Sequence, residues 1–547
     1  MPNDGRAAAT TLAELIDHLD DEHGGVLVRF PVTGEQQCHA DVPALAWGVA
    51  DELLRAGVEE GSVVGVLSGT EPGFLPAVFG VWAAGGAITV LPVPPMPTPP
   101  ESVAAALGPV AGLLTHVVVT DSQIGVAEQL AARHPELRVV RVSDCAPKPR
   151  IASSARPESP AVVQFTSGST SRPKGVVLSH SAVLACFAST ASASGVAAGD
   201  IFVSWVPVFH DFGLITILFG LWSGYELHLF SPWHFIRRPR KVIEHMSAAG
   251  ATAFGGPNFA YDRIATAYDD GLLDGLDLSR WRLALNGGEP VKPGTVERFS
   301  AALGPAGLAP GVLFPVYGMA EATLSVACPE PGTPARALWL DRASLGDRRV
   351  AVRVPDGSSD GIGLVSVGRP VPGMELKLLA DDGTEVADGS VGEIVLRGPS
   401  VMTGYWDDPV ATATAIRDGW LQTGDLGVRI AGELYVTGRR KDMIIVAGRN
   451  FYAEDVEDVA RTLLPPELGR CVAFADTDEE RVVVVLETSD PAAGAELGDK
   501  VRGLVSARLD LGSVDVYAVP RNTLPRTTSG KWQRRLTSRL FRQLTGS

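Results

Sequence analysis

Cysteine is scarce. The chain of 547 residues has five, at Cys38, Cys145, Cys186, Cys328 and Cys471, widely spaced and with no CxxC pair. This excludes a disulfide framework and a cysteine zinc site, and it fits a reducing, cytoplasmic setting. Basic charge is also in deficit. Lys and Arg number 47 against 63 Asp and Glu, a net charge of -16, so the chain lacks the basic footprint of a general nucleic-acid binder. The basic residues that do cluster, at Arg237–Lys241, Arg439–Lys441 and Arg534–Arg542, read first as solvated faces. Only one apolar run, Gly73–Val93, approaches membrane-spanning length, and Pro76, Gly85-Gly86 and Pro92 interrupt it. It is expected to form a buried helix over Phe74–Ala84, a turn, and a buried strand over Ala87–Leu91, with no membrane span. The opening MPNDGRAAATTLAELIDHLDDEH is acidic and lacks the basic-then-apolar order of a signal peptide. A Gly-x4-Gly-Lys-Ser/Thr loop is missing too, which excludes a Walker A site.

What is present points to an α/β fold. Leu12–Asp20 and Val42–Ala56 have helical spacing, and Ser62–Leu67, His116–Val119 and Leu137–Val142 are short β-branched runs. Their alternation predicts largely parallel sheets flanked by helices, without a repeat. The proline-rich Leu91–Val103 cannot be a central strand or helix interior and is expected to be a rigid surface loop. From Leu364, short strands between glycine turns predict a small antiparallel β-region. After Lys441 come strand-like MIIVAG, helical Asp455–Leu464, strand-like Val482–Leu486 and helical Gly498–Leu509, enough for a small α+β domain.

The strongest local signal is QFTSGSTSRPKGVVLSH, Gln164–His180. A strand end leads into a loop of Gly, Ser and Thr, then Lys174, then a helix start at Ser179. Small residues let backbone N–H groups approach a polyphosphate, hydroxyls donate to its oxygens, and the lysine adds charge. Further on stand SWVPVFHDFG (Ser204–Gly213), NGGEPV (Asn286–Val291), YGMAEAT (Tyr317–Thr323), LQTGDLG (Leu421–Gly427), GRRKDMIIVAGRNFYAEDVE (Gly438–Glu457) and LPRTTSGKWQRR (Leu524–Arg535). Tyr317 can stack on a base, Glu321 can hold a hard cation, Asp425 can accept two hydroxyls, and Arg439 can pair with ribose or phosphate oxygens. Singly, each also reads as a core tyrosine, a solvated carboxylate or a surface arginine.

In their order and spacing, these motifs resemble the adenylate-forming superfamily over nearly the whole chain, from about Leu12 to Arg535. The resemblance implies ATP and Mg2+ as cofactors and a carboxylic acid as substrate, activated as acyl-AMP. It implies a large domain, residues 1–440, and a small mobile one, 441–547, closing about a hinge near Lys441. The nucleotide would be held by Thr166, Ser167, Gly168, Ser169, Thr170, Lys174, Gly287, Gly288, Glu289, Pro290, Tyr317, Gly318, Met319, Ala320, Asp425 and Arg439, with Glu321 on the metal. Thr166, Lys174, His210 and Lys531 would serve catalysis. Lys531 would swing over the site and place its charge on the developing pentavalent phosphorus. The acid would lie against His210, Asp211, Phe212, Thr216, Gly255, Gly256 and Asn258.

GGPNFAYD (Gly255–Asp262), the pair His210-Asp211 and GRNFYAEDVE resemble the fatty acyl-AMP ligase branch in particular. So does Ala337–Pro370, which lies where that branch carries an insert that restrains the small domain and disfavours CoA. The implied acceptor is then the phosphopantetheine thiol of an acyl carrier protein, with free CoA or a nitrogen nucleophile as alternatives. Phe212 and Thr216 depart from the branch, standing where Met and Gly are expected in HDMGLIG. Bulkier groups there would shorten an acyl tunnel and favour a short, medium or aromatic acid.

Overall fold

The computed structural model describes residues 9–21, 25–94, 96–166, 173–446, 448–464, 470–476, 479–489, 491–526 and 532–545. By packing, the chain forms two compact units. One comprises Met1–Ala335, Pro370–Glu375 and Arg397–Gly419; the other comprises Arg336–Arg369, Leu376–Leu396 and Trp420–Ser547.

The first unit holds two seven-stranded sheets. In one, the spatial order is Leu313–Pro315, Leu283–Asn286, Ala253–Gly256, Ile201–Ser204, Glu226–Leu229, Leu27–Phe30 and Glu35–Cys38. All neighbours are parallel except the last hairpin. The other runs Gly404–Tyr405, Lys174–Ser179, Pro160–Thr166, Ala87–Val90, Val63–Leu67, His116–Val119 and Arg138–Arg141. Its last five strands are parallel, and the first two join them antiparallel. Short β-branched strands buried on both faces, such as Val63–Leu67, are what parallel sheets covered by helices require. The apolar run at residue 73 resolves as expected, into the wholly buried helix Phe74–Ala83, a turn at Gly85 and the strand Ala87–Val90. Among the described residues no helix is long and apolar enough to cross a membrane, and all five cysteines are free.

One expectation is corrected. The proline-rich segment is not loop throughout, because Pro100–Val103 forms the first turn of the helix Pro100–Ala111. Proline suits that position, where its missing N–H would have no intrahelical partner and its fixed φ is already helical.

Aromatic packing behind the first sheet is dense. Trp205 stacks on Phe235 with ring centroids 4.1 Å apart, and Phe254, Tyr261, Trp281 and Phe299 meet edge to face. Each such ring contributes about 1.5–3 kcal/mol by burial.

In the second unit, Val391–Arg397, Trp420–Ile430 and Glu433–Arg439 run antiparallel, as the glycine-turn texture predicts. Beyond them lies a three-stranded sheet, Cys471–Asp476, Arg481–Thr488 and Val514–Pro520. Alternation splits its central strand between two cores. Val482, Val484 and Leu486 face the helices Ala453–Arg461 and Pro491–Leu509, while Val483 and Val485 pack with Phe541 of the C-terminal helix Arg534–Thr545.

Candidate active site

Four motifs leave the same edge of the first sheet. SWVPVFHDFG follows the strand Ile201–Ser204, GGPN ends Ala253–Gly256, NGGEPV ends Leu283–Asn286, and VYGMAEAT follows Leu313–Pro315. These strands are parallel and adjacent, with Gly256 beside Asn286 and Asn286 beside Pro315, so their carboxyl ends align. Strand order also reverses about Ile201–Ser204, which has Glu226–Leu229 on one side and Ala253–Gly256 on the other. Open α/β sheets bind ligands at the carboxyl ends of the strands at such a reversal.

His210 caps the helix Asp211–Ser223. Its Nδ1 lies against Asp211 Oδ1. The Phe212 N–H donates to that Nδ1 at 3.2 Å and to Asp211 Oδ1 at 2.7 Å. Gln164 Nε2 donates to Phe209 O at 2.9 Å, tying the strand that leads into the Ser/Gly loop to the His210 turn. Phe212 is buried against Gly255, where an added Cβ would stand 3.1 Å from its ring, and Trp205 lies equally close to Gly256. Thr216 is buried, and its hydroxyl donates back to Phe212 O. The Asn258 side chain is spent inside the fold. Its Nδ2 donates to Thr295 Oγ1 at 2.9 Å, and its Oδ1 accepts from Asn286 Nδ2 and the Lys292 N–H. It thus steadies the Gly287–Pro290 loop, where Gly288 takes φ +83° and Glu289 accepts the Phe259 N–H at 2.6 Å.

The Tyr317–Thr323 loop is tightly held. Tyr317 is buried, and Gly318 passes so close that a Cβ would meet Leu324 O at 1.9 Å. The Met319 N–H donates to Leu324 O, and Ala320 begins the short turn that carries Glu321. Thr323 sits at φ 67°, ψ -57°, costly for a β-branched residue by about 1–3 kcal/mol. It is fully buried and donates to Ser400 O at 2.7 Å, while the Met402 N–H donates to Glu321 O at 2.8 Å. These bonds bring up Tyr405, whose hydroxyl donates to Glu321 Oε1 at 3.2 Å and whose ring lies under Lys174 Nζ, 4.9 Å from the centroid. Burial, and next the Glu321 charge, push the Tyr405 phenol well above its ordinary pKa, so it stays a donor. With Oε1 so held, Oε2 of Glu321 is the atom that would hold a hard divalent cation.

Thr166 ends the strand Pro160–Thr166, its side chain outside the described residues, as are Ser167, Gly168, Ser169, Thr170 and Lys531.

In the second unit Asp425 is buried and pairs across strands with Arg439, Nε to Oδ1 at 2.8 Å. Its N–H donates to Thr423 Oγ1, which donates to Ile394 O. The segment after Ala337 is fastened to the GRNFYAEDVE motif. Arg342 pairs with buried Asp455 and donates to Gly361 O at 2.8 Å, and Asp347 Oδ1 accepts the Asn450 N–H at 2.8 Å. Arg534 is enclosed by carboxylates at 2.9–3.0 Å, from Asp442, Glu454 and Glu457. Beside it, Lys441, Arg535, Arg539 and Arg542 line a groove of about 290 Å³, joining two basic clusters far apart in sequence.

Gln164, Thr323 and Tyr405 were not singled out by the motif reading. Gln164 opens the Ser/Gly string, but Tyr405 carries no local signal.

The sequence profile of the AMP-binding enzyme family matches residues 26–406. The chain belongs to that family. This AMP-binding enzyme is 34% identical over 570 residues to the long-chain fatty acid–AMP ligase FadD26 of Mycobacterium marinum, covering 98% of this chain and 97% of the relative. It is 34% identical over 496 residues to the medium-chain fatty acid–[acyl-carrier-protein] ligase JamA of Moorena producens, covering 84% and 82%. A structure from a study of fatty acyl-adenylate ligases from E. coli and L. pneumophila superposes with a TM-score of 0.90 at 27% identity over 98% of both chains. The mixed α/β fold and the adenylate-forming class follow for this AMP-binding enzyme.

Proposed function

We propose that the enzyme activates a fatty or related carboxylic acid as acyl-AMP and passes the acyl group to the phosphopantetheine thiol of an acyl carrier protein. The observation that carries this reading is the meeting of four motif loops at adjacent carboxyl strand ends. In the first step a carboxylate oxygen attacks the α-phosphorus, and the bond to pyrophosphate breaks. Tyr317 stacks on adenine, Asp425 accepts the ribose hydroxyls, and Lys174 and Lys531 neutralise charge on the phosphates. Glu321 would hold magnesium, which when bound would supply Lewis-acid charge on the polyphosphate. His210, oriented by Asp211, faces the acid, and buried Phe212 and Thr216 limit its depth. In the second step the thiol attacks the acyl carbon and AMP leaves. The bonding of the Ala337–Pro370 segment to Asn450 and Asp455 supports reading it as the restraint that disfavours CoA.

Pyrophosphate release across a panel of acids, followed by mass spectrometry with holo carrier protein and with CoA, tests the reading. We expect release with one chain-length class, a carrier-bound acyl product, and loss of adenylation by about a hundredfold in Lys531→Ala. Release with no acid sinks the adenylation step, and efficient transfer to free CoA sinks the carrier assignment.

A further inference from the structure

Tyr405 touches two groups that the proposed chemistry uses, though it lies 231 residues from one and 84 from the other. It belongs to the two-residue strand Gly404–Tyr405, which pairs antiparallel with Val176 and Val177, just past Lys174. The pairing is reinforced. The Thr403 N–H donates to Val177 O, the Trp406 N–H donates to Gly175 O, and Trp406 meets Phe165 edge to face. On the other side the Met402 N–H holds Glu321 O, so the backbone of one short segment spans from the lysine strand to the carboxylate loop.

We propose that Tyr405 is a positioning residue for polyphosphate and metal, its ring face seating the Lys174 ammonium while its hydroxyl orients the Glu321 carboxylate. This inference rests on the adenylation reading above. The division of labour follows from the geometry. The ring offers a cation a face 4.9 Å below Nζ, which restricts a long flexible side chain without taking up its N–H donors. The hydroxyl donates to Oε1 of Glu321, so that Oε2 would be left for the ion. Ring and hydroxyl can therefore be separated by substitution.

The test uses the full chain, with Mn2+ as the metal probe and α,β-methylene-ATP as the nucleotide. Tyr405→Phe keeps the seat and loses the hydroxyl. Mn2+ affinity in the nucleotide complex, read by electron paramagnetic resonance, should weaken by about tenfold, as for a lost hydrogen bond to a charged group. Metal-free nucleotide affinity, read by calorimetry, should stay within about twofold of wild type, since the ring–cation contact is kept. Tyr405→Leu loses both, and its metal-free nucleotide affinity should fall roughly three- to fivefold. Pyrophosphate exchange by Tyr405→Phe should show a raised magnesium requirement with kcat recovered at saturating magnesium. Wild-type Mn2+ affinity in Tyr405→Phe overturns the orienting hydroxyl, and wild-type nucleotide affinity in Tyr405→Leu overturns the ring seat. The titrations need no acid, so a wild-type enzyme that adenylates nothing would sink the proposed function and leave these results standing.

Discussion

His180 ends the string that begins at Gln164, and it is fully buried, its Nδ1 accepting the Leu12 N–H at 3.1 Å. Burial pushes its pKa down from 6.5 to about 4, against a small opposing effect of Glu14. Because the folded value lies below the unfolded one, the unfolded chain binds the proton first as pH falls. The stabilisation is then complete above pH 6.5 and lost between 6.5 and about 4. Thermal melts should show the loss. In His180→Asn, whose Oδ1 can still accept from Leu12, the acid-side loss of stability should shrink by about 3 kcal/mol over that window. An unchanged slope would assign it to other groups. At this scale the sequence was informative where a residue's chemistry is local. It was silent on Thr323 and Tyr405, whose importance lies in bonds to Ser400, Glu321 and Lys174 that only the folded chain brings about.

Among elements, periodicity and turn residues located helices such as Val42–Arg55 and strands such as Val63–Leu67 and His116–Val119. They did not locate the four-residue strands Ile201–Ser204, Ala253–Gly256 and Leu283–Asn286 that carry the site, which are too short to show a period. The reading also missed the strand Lys174–Ser179, because a short apolar run cannot be told from the approach to a helix until its partner Pro160–Thr166 is known. The arginine-rich end also read as a solvated tail, yet Arg534 begins a helix whose Phe541 is core and whose own guanidinium is enclosed. The charge pattern could not reveal that Asp442, Glu454 and Glu457 would converge on it. Removing one partner of such a group strands the others. Arg534→Met should therefore destabilise this region by about 3–5 kcal/mol, with Arg534→Lys recovering part. Hydrogen exchange at the Arg481–Thr488 amides should report it, and unaltered protection in Arg534→Met would refute it.

Over the whole molecule, a chain of net charge -16 gathers Lys441, Arg535, Arg539 and Arg542 around one groove. On the proposed function, an acidic carrier protein approaching this acidic enzyme would be repelled at long range, and productive encounter would depend on such a patch. Charge reversal at Arg535 and Arg539 should slow acyl transfer to the carrier and leave pyrophosphate release intact. The wild-type transfer rate should fall as salt rises, since exposed charges are screened over about 10 Å at 0.1 M. Salt-independent transfer, unaffected by the reversals, would refute the docking role.

The alignment of the four motif-bearing strand ends bears on how such an enzyme can diversify. Ile201–Ser204, Ala253–Gly256 and Leu283–Asn286 are interior strands and Leu313–Pro315 is the sheet's edge; their pairing fixes the strand ends, and the loops beyond them carry the motif residues. On the proposed function, every residue assigned to the acid falls within the contiguous block 201–318. Exchanged as one block between related enzymes, they would carry acid preference with them. Asp425 and Arg439, assigned to the ribose in the proposed function, lie outside the block and in the other unit.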